Sequence, residues 1–556
     1  MPYLAEYTGL FWYNGPMQTA APPLPEDLET LRRHAAEQAA RLLEYERQVA
    51  GQEQQIQDQD RHIEQLLDYI QLLRHKRFGR RADAVSKDQL NLFDEAELEA
   101  LIGDLETEVE QGSAGKRTRK PKPGGQARRR PLPPHLRRVE RLIDLSAAEK
   151  QAMGAGWVLI GYDVSEQLAV IPRQHYVIHY KRAKYAPVDD TVDGAGQGIK
   201  IAPRPSQIIP KSIAHSSVIA DVVVAKFVDG LPLYRQEKIF AREGIEISRQ
   251  SMSGWIVQLH ERLTPLTQVL KELFYAGRVV HIDETPLQVL NEPGREDTQK
   301  SWMWVYRGGP PDQPVVWFQY APSRGGEVPR EFLFPDEPDP PPRQCYIVTD
   351  DYGGYDALAR LPGVLGHAAC WAHVRRKFVE ATQGRKKSAA AHQMVALIGK
   401  LYQVERKARG ESPAQRHALR QEYSRPVLDK IEAWLDDKAP KVLPKGLLGK
   451  AIRYTINLWP QLTTFLEDGH IGIDNNPAEN AIRPFVIGRK NFLFSGSPRG
   501  AAASATLYTL IETAKACGLE PRAYLGYLFE KLPTARTPEA LRALLPHHLK
   551  TEDLVL

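Results

Sequence analysis

The order of β-type segments between residues 277 and 370 constrains the fold of this chain more than any other feature. Three segments rich in β-branched and aromatic residues follow one another with short breaks: GRVVHIDETPLQVL, SWMWVYRGG and PVVWFQYAP. A fourth, QCYIVTDDYGGYDAL, comes after a short helical stretch and a Pro-rich loop, and GVLGHAAC could form a fifth. Three consecutive strands, then strands that alternate with helices, predict an α/β core over residues 276–370.

A long helical stretch then interrupts this core. Residues 371–468 contain WAHVRRKFVEA, QMVALIGKLYQVERKAR and SRPVLDKIEAWLDD, and they predict an α-helical insertion. The core would resume over residues 469–535, and residues 536–556 would form a C-terminal tail. The order of the strands and helices in the core is that of a ribonuclease H-like sheet.

The segment before the core, residues 206–275, is also predicted to be helical. Within it, PLYRQEKIFAREGIEISRQSMSGWIVQLHERL could form one helix, a turn at Gly244 and a second helix capped by Ser248. This arrangement resembles a helix-turn-helix. Most such pairs are ordinary helix packing, so DNA reading and plain packing are both open for this segment.

An apolar seven-residue repeat dominates the N-terminal part of the chain. Residues 1–24 look loose and Pro-rich, whereas residues 25–78 carry the repeat, which predicts a coiled coil that pairs protomers. The alternative is one long helix packed within the chain. The first seam of the repeat consists of Leu28, Ala35, Leu42, Val49, Ile56, Ile63 and Ile70.

Charge is segregated in the next segment, residues 79–138. Its first part is acidic, and its second part, from Lys116 to Arg138, contains ten Lys or Arg and no acid. The basic part is either a solvated linker or an arm that binds DNA phosphates. The phosphate-binding candidates in this arm are Arg128, Arg129 and Arg130.

Bulk composition excludes two classes of protein. Cysteine is rare, with three residues in 556, and no run of about 18 apolar residues occurs. Neither a disulfide framework nor a membrane-spanning protein is therefore expected. The hydrophobic fraction of 42% suffices for packed cores, and the net charge of +5 indicates no global polycation. We expect a cytoplasmic, nucleoid-associated protein.

Two of three candidate acids end apolar β runs, which predicts that they lie at the rim of the sheet, and the third begins a later helix. Asp283 follows the apolar run VVHI, Asp350 follows YIVT, and Glu479 begins a helix in IDNNPAENAIRPFVIGRKN. In the last stretch Asn476 could cap the helix, with Pro477 at its first position and Glu479 completing a capping box. Three carboxylates at one sheet rim would repel unless cations bound between them, and oxygen ligands suit Mg²⁺ or Mn²⁺.

Spacing alone leaves these assignments open. A single acid at such a position is more often a solvated turn residue or a helix cap than a catalytic group. Each candidate also has an acidic neighbour that could take its place, namely Glu284, Asp351 and Asp474.

Several motifs, taken together and in order, resemble the insertion sequence 66 family of bacterial transposases. They are HIDETPLQVL, TDDYGGYDAL, CWAHVRRKF and DNNPAENAIRPFVIGRKNFLFSGS. FGRRADAVSKDQLNLFDEAE, LPLYRQEKIFAREGIEIS and SATLYTLIETAKACGLEPRAYLGYLFEKLP are similar to other parts of that family. The resemblance implies a DDE transposase with a ribonuclease H-like core, an α-helical insertion and Mg²⁺ or Mn²⁺ as cofactor.

The resemblance also assigns roles to individual residues. The catalytic residues and metal ligands would be Asp283, Asp350 and Glu479. The near-site positioning residues would be Cys370 and His373, which form a CxxH motif. Their position after Glu479, and not the resemblance, adds three basic residues that would either hold DNA phosphates or form a solvated face: Arg483, Arg489 and Lys490. Of these, Arg483 lies four residues after Glu479 and shares its helix face.

Residues 139–205 depart from the family pattern. Alternation of apolar and polar residues predicts a small β-rich module there, where the family commonly carries two zinc-binding cysteine pairs. In this chain the corresponding positions hold Ala152, Ala155, Pro187 and Asp190. No structural zinc is therefore expected, and the module must fold by packing alone.

The sequence thus predicts a multidomain protein, mainly α plus α/β, that transposes DNA. It would bind element ends, cut them and join the freed 3′-hydroxyls to target DNA as a homo-oligomer, at least a dimer. The resemblance suggests accessory proteins of the same element, and no membrane partner is expected. The alternatives are a ribonuclease H-like nuclease without strand transfer and a DNA-binding scaffold with a decayed core.

Overall fold

The computed structural model describes residues 199–335, 343–383 and 388–554, with shorter pieces before them. Those pieces are residues 35–52, 138–140, 144–153 and 174–185 and isolated positions between 27 and 168. The chain forms two compact units, one made of residues 108–205 and the other of the remaining residues.

The unit of residues 108–205 has little β structure in its described part. A helix spans Ala147–Met153, and the two-residue strands Lys184–Tyr185 and Lys200–Ile201 pair antiparallel. The described residues of the predicted β-rich module thus contain one short antiparallel strand pair, and much of the module lies outside the described residues, so it stays a prediction. The apolar residues of its alternating run lack a buried face, since Tyr176 and Val177 are 81% and 92% exposed. Ala152 lies in the helix, and the other three positions expected to hold cysteine lie outside the described residues.

The described part of the N-terminal repeat is helical over residues 35–52. Its seam residues Leu42 and Val49 are 62% and 52% exposed. Pairing of two such helices would cover them, so the coiled coil stays a prediction. The rest of residues 25–78 and the basic triplet at 128–130 lie outside the described residues.

The larger unit is built on one mixed sheet. Its strands are β1 (Val279–Val289), β2 (Lys300–Gly308), β3 (Val315–Ala321), β4 (Cys345–Thr349), β5 (Val364–Ala369) and β6 (Phe494–Ser495). The order across the sheet is β3-β2-β1-β4-β5, and β6 pairs with the end of β1. The first three strands are antiparallel, and β4 and β5 continue parallel to β1. The predicted order, three consecutive strands and then strands alternating with helices, is confirmed.

Helices cover this sheet and extend beyond it. Before β4 they are α1 (Ser216–Phe227), α2 (Leu233–Arg242), α3 (Arg249–Tyr275) and α4 (Glu327–Leu333). After β5 come α5 (Trp371–Thr382), α6 (Ala389–Lys407), α7 (Pro413–Leu419), α8 (Arg425–Lys438), α9 (Leu447–Asn457) and α10 (Trp459–Thr463). The last are α11 (Asn476–Phe492), α12 (Pro498–Ala516), α13 (Pro521–Lys531) and α14 (Pro538–Arg542).

The predicted helix-turn-helix geometry is present at α2 and α3. Gly244 makes the turn with φ of +73°, a value that glycine adopts without steric cost. Ser248 caps α3 by accepting the backbone N–H of Ser251. The apolar side of α3 is buried in the same core as the sheet, so this helix pair also packs within the larger unit.

A second core joins the α-helical insertion to the sheet. Helices α5, α6, α8 and α9 bury their apolar faces against one another and against side chains of β4 and β5. Arg420, fully buried, binds both Glu405 oxygens at 2.7 Å and donates to the carbonyls of Phe465, Asp468 and Ile471. The three carbonyls belong to the segment that leads into α11. Arg420 of the insertion therefore holds the start of that helix in place.

The C-terminal segment is structured through residue 554. Leu544, Leu545 and Leu554 are buried in the first core. Residues 536–554 are therefore part of the folded unit. In the described part of the chain, no helix is both long enough and apolar enough to cross a membrane.

Candidate active site

Asp283 lies in the middle of β1, where the sheet opens. The prediction that it ends its strand is wrong, because β1 continues to Val289 and Asp283 pairs with Val305 of β2. On the other side, parallel pairing with β4 extends only to His281. Because β4 is short, this edge of β1 has no β4 partner from Asp283 onward. The gap leaves room for side chains to form a site, as the end of a strand would.

Asp350 stands at that opening directly after β4. Its Oδ1 accepts the backbone N–H of Tyr352 at 3.2 Å, which fixes the carboxylate at the start of the following turn. Asp351 is exposed and does not line the cavity described below. Of the two neighbouring acids, the structure therefore directs Asp350 to the site.

Glu479 projects from the first turn of α11. The predicted capping box is wrong: the helix cap is Asn475, without a side-chain capping bond, and Asn476 is already helical. The amide of Asn475 is committed elsewhere, because it donates to the Ile282 carbonyl at 2.8 Å and lies 3.2 Å from Nδ1 of His281. These bonds tie the start of the helix to the strand that carries Asp283.

Glu284, the neighbour of Asp283, has a different structural role. Its side chain is almost fully buried and forms an ion pair with Arg324 at 2.6 Å. It also accepts a hydrogen bond from the hydroxyl of Tyr355. Tyr352 stacks on the same guanidinium at 3.7 Å. The two tyrosines of the YGGY motif thus hold the acid that could otherwise compete for the catalytic role.

Asp283, Asp350 and Glu479 line one cavity of about 280 Å³. The remaining wall is formed by His373, Asn475, Ile482, Arg483 and Val486. The three carboxylates come from positions spread over almost 200 residues of sequence, and three different elements bring them together.

Each of these carboxylates resists ionisation in the structure. Burial, and then repulsion from Glu284, Asp350 and Glu479, raises the pKa of Asp283 well above its usual range. Burial and Glu284 raise the pKa of Asp350. Burial raises the pKa of Glu479 against the opposing effect of Arg376. A bound cation would relieve this repulsion, so the donor set fits a hard divalent ion such as Mg²⁺ or Mn²⁺.

The CxxH pair lies against Glu479. Cys370 Sγ accepts the backbone N–H of Asn475 at 3.2 Å and is 4.0 Å from Glu479 Oε1. His373 Nδ1 is 3.6 Å from the same oxygen, and burial lowers the pKa of this imidazole to about 4. One donor atom from each of the three residues lies within 4.8 Å of the others. The pair therefore lies against the carboxylate of Glu479, and its positioning role stays a prediction.

The predicted basic residues differ in position. Arg483 lines the cavity. Arg489 donates to Thr285 Oγ1 at 3.0 Å, which anchors it beside β1, and Lys490 is exposed on the helix. All three follow Glu479 along α11, so the basic charge extends from the cavity along one helix.

Sequence reasoning missed two basic residues near the site. Arg376 Nη2 lies 3.9 Å from Glu479 Oε2. Its position three residues after His373 on α5 places both on one helix face and could have revealed it. Arg324, which holds Glu284, comes from the loop after β3, and no local pattern in the sequence indicates it.

Comparisons with known proteins agree with this architecture. The model described as "Transposase IS66 family" matches residues 211–503, "IS66 C-terminal element" matches 509–547, and "Transposase C of IS166 homeodomain" matches 65–141.

Three relatives from Sinorhizobium fredii (strain NBRC 101917 / NGR234) bear names without a function. "Uncharacterized protein y4qI" is 31% identical over 96% of this chain and 98% of the relative. "Uncharacterized protein y4jD" is 32% identical over 76% and 82%, and "Uncharacterized protein y4hP" is 27% identical over 85% and 87%. With its strand order, its cavity of three acids and matches that cover most of its length, this chain belongs to the IS66 family of transposases.

Proposed function

We propose that the chain is a DDE transposase that cuts the ends of its element and joins them to target DNA. The observation that carries the proposal is the cavity lined by Asp283, Asp350 and Glu479. The sheet order β3-β2-β1-β4-β5, with an acid on β1, one after β4 and one on a later helix, supports a ribonuclease H-like core.

The three carboxylates would hold Mg²⁺ or Mn²⁺. Bound there, such ions supply a nucleophile at neutral pH and stabilise the leaving oxygen of a phosphodiester. Asp283 and Asp350 would contribute from the sheet, and Glu479 would contribute from α11, where His373 and Arg376 lie 3.6 Å and 3.9 Å from its carboxylate oxygens. Arg483, in the wall of the same cavity, would hold a DNA phosphate next to the bond that breaks.

Two displacements at phosphorus make up the reaction. In the first, a water oxygen bonds to phosphorus and the P–O3′ bond breaks, which leaves a 3′-hydroxyl on the element and a 5′-phosphate on the flank. In the second, that 3′-hydroxyl loses its proton and bonds to a target phosphorus, while the target P–O3′ bond breaks. The first step converts one phosphodiester and water into a 5′-phosphate monoester and a 3′-hydroxyl. The second exchanges one phosphodiester for another, with the proton of the attacking hydroxyl balanced by the one that the leaving 3′-oxygen takes up, so it needs no other energy source.

The test is metal-dependent cleavage and joining on DNA that carries the element's ends. We expect Glu479→Gln and Asp350→Asn to lower both rates on the order of 100-fold or more, because each removes a carboxylate that holds the ions. Asp351→Asn is the matched control, since Asp351 is exposed and outside the cavity. A fully active Glu479→Gln protein would overturn the site, and hydrolysis without joining would replace the transposase by a nuclease.

A further inference from the structure

An exposed apolar tip follows directly after the helix that carries Glu479. Leu493 and Phe494, here called the apolar tip, are 65% and 44% exposed. Apolar side chains at such exposure are ordinary when scattered, but these two are adjacent: Leu493 joins α11 to β6, and Phe494 is the first residue of β6. Ile487 on the same helix is a further exposed apolar residue, at 52%.

The backbone of the tip is held rigidly in a conformation that leucine rarely adopts. Leu493 has φ of +66° and ψ of −50°, in a region that disfavours side chains with a Cβ atom. Its N–H donates to the Arg489 carbonyl at 2.7 Å. On the other side, Phe494 and Ser495 pair with the end of β1. A glycine would adopt these backbone angles at lower cost. The presence of a leucine therefore suggests that its side chain has a function.

Residue 492 shows what a packed side chain looks like at this place. Phe492 packs edge-to-face with Phe485 at 6.2 Å, and the ammonium of Lys226 lies 4.4 Å from its ring centre. The chain therefore turns one aromatic residue into the core and presents the next two side chains outward.

The tip is continuous with the candidate active site through the exposed face of α11. From Glu479 the helix presents Arg483 in the cavity wall and then the exposed Ile487 and Lys490. At 1.5 Å per residue, Glu479 and Lys490 are about 16 Å apart along the axis. Cationic side chains thus alternate with apolar ones from the cavity to the tip.

This alternation matches a DNA strand rather than a protein surface. Lysine and arginine pair with phosphates, while leucine and phenylalanine can enter between unstacked bases or stack on them. We propose that the apolar tip inserts into DNA next to the cleavage site and unstacks a base there. The proposal rests on the proposed function, since it places the substrate strand along α11.

The test uses the full chain and a duplex of about 40 base pairs that ends in the element's terminal sequence. 2-Aminopurine replaces one base at a time near the cut, and Ca²⁺ replaces Mg²⁺ so that binding is followed without cleavage. With the wild-type protein we expect fluorescence to rise about threefold or more at one or two positions.

Tip variants should lose this signal. Leu493→Gly and Phe494→Ala should abolish most of the rise and weaken binding about five- to 150-fold, the range expected for loss of one stacked base. Leu493→Gly removes a strained residue and should not lower the melting temperature, and Phe494→Tyr should keep the signal. Tyr423→Ala is the matched control, because Tyr423 is also 44% exposed but lies on the α-helical insertion.

Lys490→Ala separates charge from stacking. It should weaken binding and lower the salt dependence of log K by about one, but leave the fluorescence at saturation unchanged. The proposal is overturned if both tip variants keep the wild-type fluorescence. It is also overturned if they change the molar mass in light scattering without affecting fluorescence, since a second copy of the chain would then cover the tip.

Parallel joining assays distinguish this proposal from the proposed function. The tip variants could lose the unstacking signal while no form of the protein, wild type included, joins DNA. That result would refute the transposase reaction and support base unstacking by the apolar tip. Normal joining by both variants without any unstacking would do the reverse.

Discussion

At the residue scale, the raised pKa of Asp283 is the property of the site that leads most directly to a measurable effect. Burial and three neighbouring carboxylates raise the pKa of this group well above its ordinary value of 3.8. Between 3.8 and the raised value, the folded protein binds more protons than the unfolded chain. The free energy of unfolding therefore falls as the pH rises through this window, and the loss is complete above the folded pKa.

Asp283→Asn should stabilise the metal-free protein at neutral pH. Folding then no longer buries a carboxyl group that is costly to ionise, so the free energy of unfolding should rise on the order of 1 kcal/mol or more and fall less with rising pH. Mg²⁺ should stabilise the wild type, by about 2.7 kcal/mol at 100 times its Kd, and the variant much less. Thermal unfolding at several pH values, with and without Mg²⁺, measures both effects. A variant less stable than wild type without metal would contradict the assigned electrostatics, and Asp351→Asn should change little.

At the scale of elements, the start of α11 decides where Glu479 points. Asn475 is 1% exposed, and its side chain bridges the helix to β1. Its backbone N–H is received by Cys370 at the start of α5. Strand β1, helix α11 and the start of the insertion therefore meet at Asn475. These contacts fix the position of Glu479 relative to Asp283.

Asn475→Ala should loosen this junction, whereas Asn476→Ala should not. The first change leaves the Ile282 carbonyl and His281 without a partner in a buried place, at a cost of about 1–3 kcal/mol. The second removes a bond that reaches only Asp474 in the same turn. Denaturant unfolding and the cleavage rate measure the outcome. We expect a large fall in rate with nearly unchanged DNA affinity for Asn475→Ala, and equal effects of the two changes would refute its positioning role.

At the scale of the whole molecule, the larger unit combines two tasks in one core. Helices α1 to α3 pack with the sheet, α12 and α13 around shared apolar side chains. The helix-turn-helix is therefore rigidly joined to the cavity that would cut the DNA. Under the proposed function, two element ends would require two such cavities, and the N-terminal repeat is the part of the sequence that would pair them.

Placing charges in the seam should separate protomers. Leu42→Asp with Val49→Asp should shift the chain toward monomer, because each aspartate would enter an apolar interface of two helices. Ala40→Asp with Arg47→Asp, at positions two residues outside the seam, is the matched control and should keep the wild-type state. Light scattering measures the molar mass. An unchanged mass for the seam variant would mean that the repeat does not pair protomers.

Most elements were predicted by local patterns, because their formation depends mainly on interactions between residues close together in the sequence. Alternating and β-branched runs specified the five main strands, and the turn at Gly244 with the cap at Ser248 specified the α2–α3 pair. The alternating run over residues 174–185 forms a strand only at its last two residues, because alternation predicts a strand only where a partner and a buried face exist.

By itself, the sequence determined the strand order, the helical insertion and which acids were candidates. Only the tertiary structure decided which of those acids line the cavity, because this depends on contacts between residues far apart in the chain. Arg324 and Tyr355 bind Glu284 and leave Asp283 facing the cavity. Asn475 serves the sheet instead of capping its helix, since burial makes the long-range bond to β1 the stronger demand. Local capping rules count neighbours along the chain, whereas a site assembled from three elements is set by packing in space.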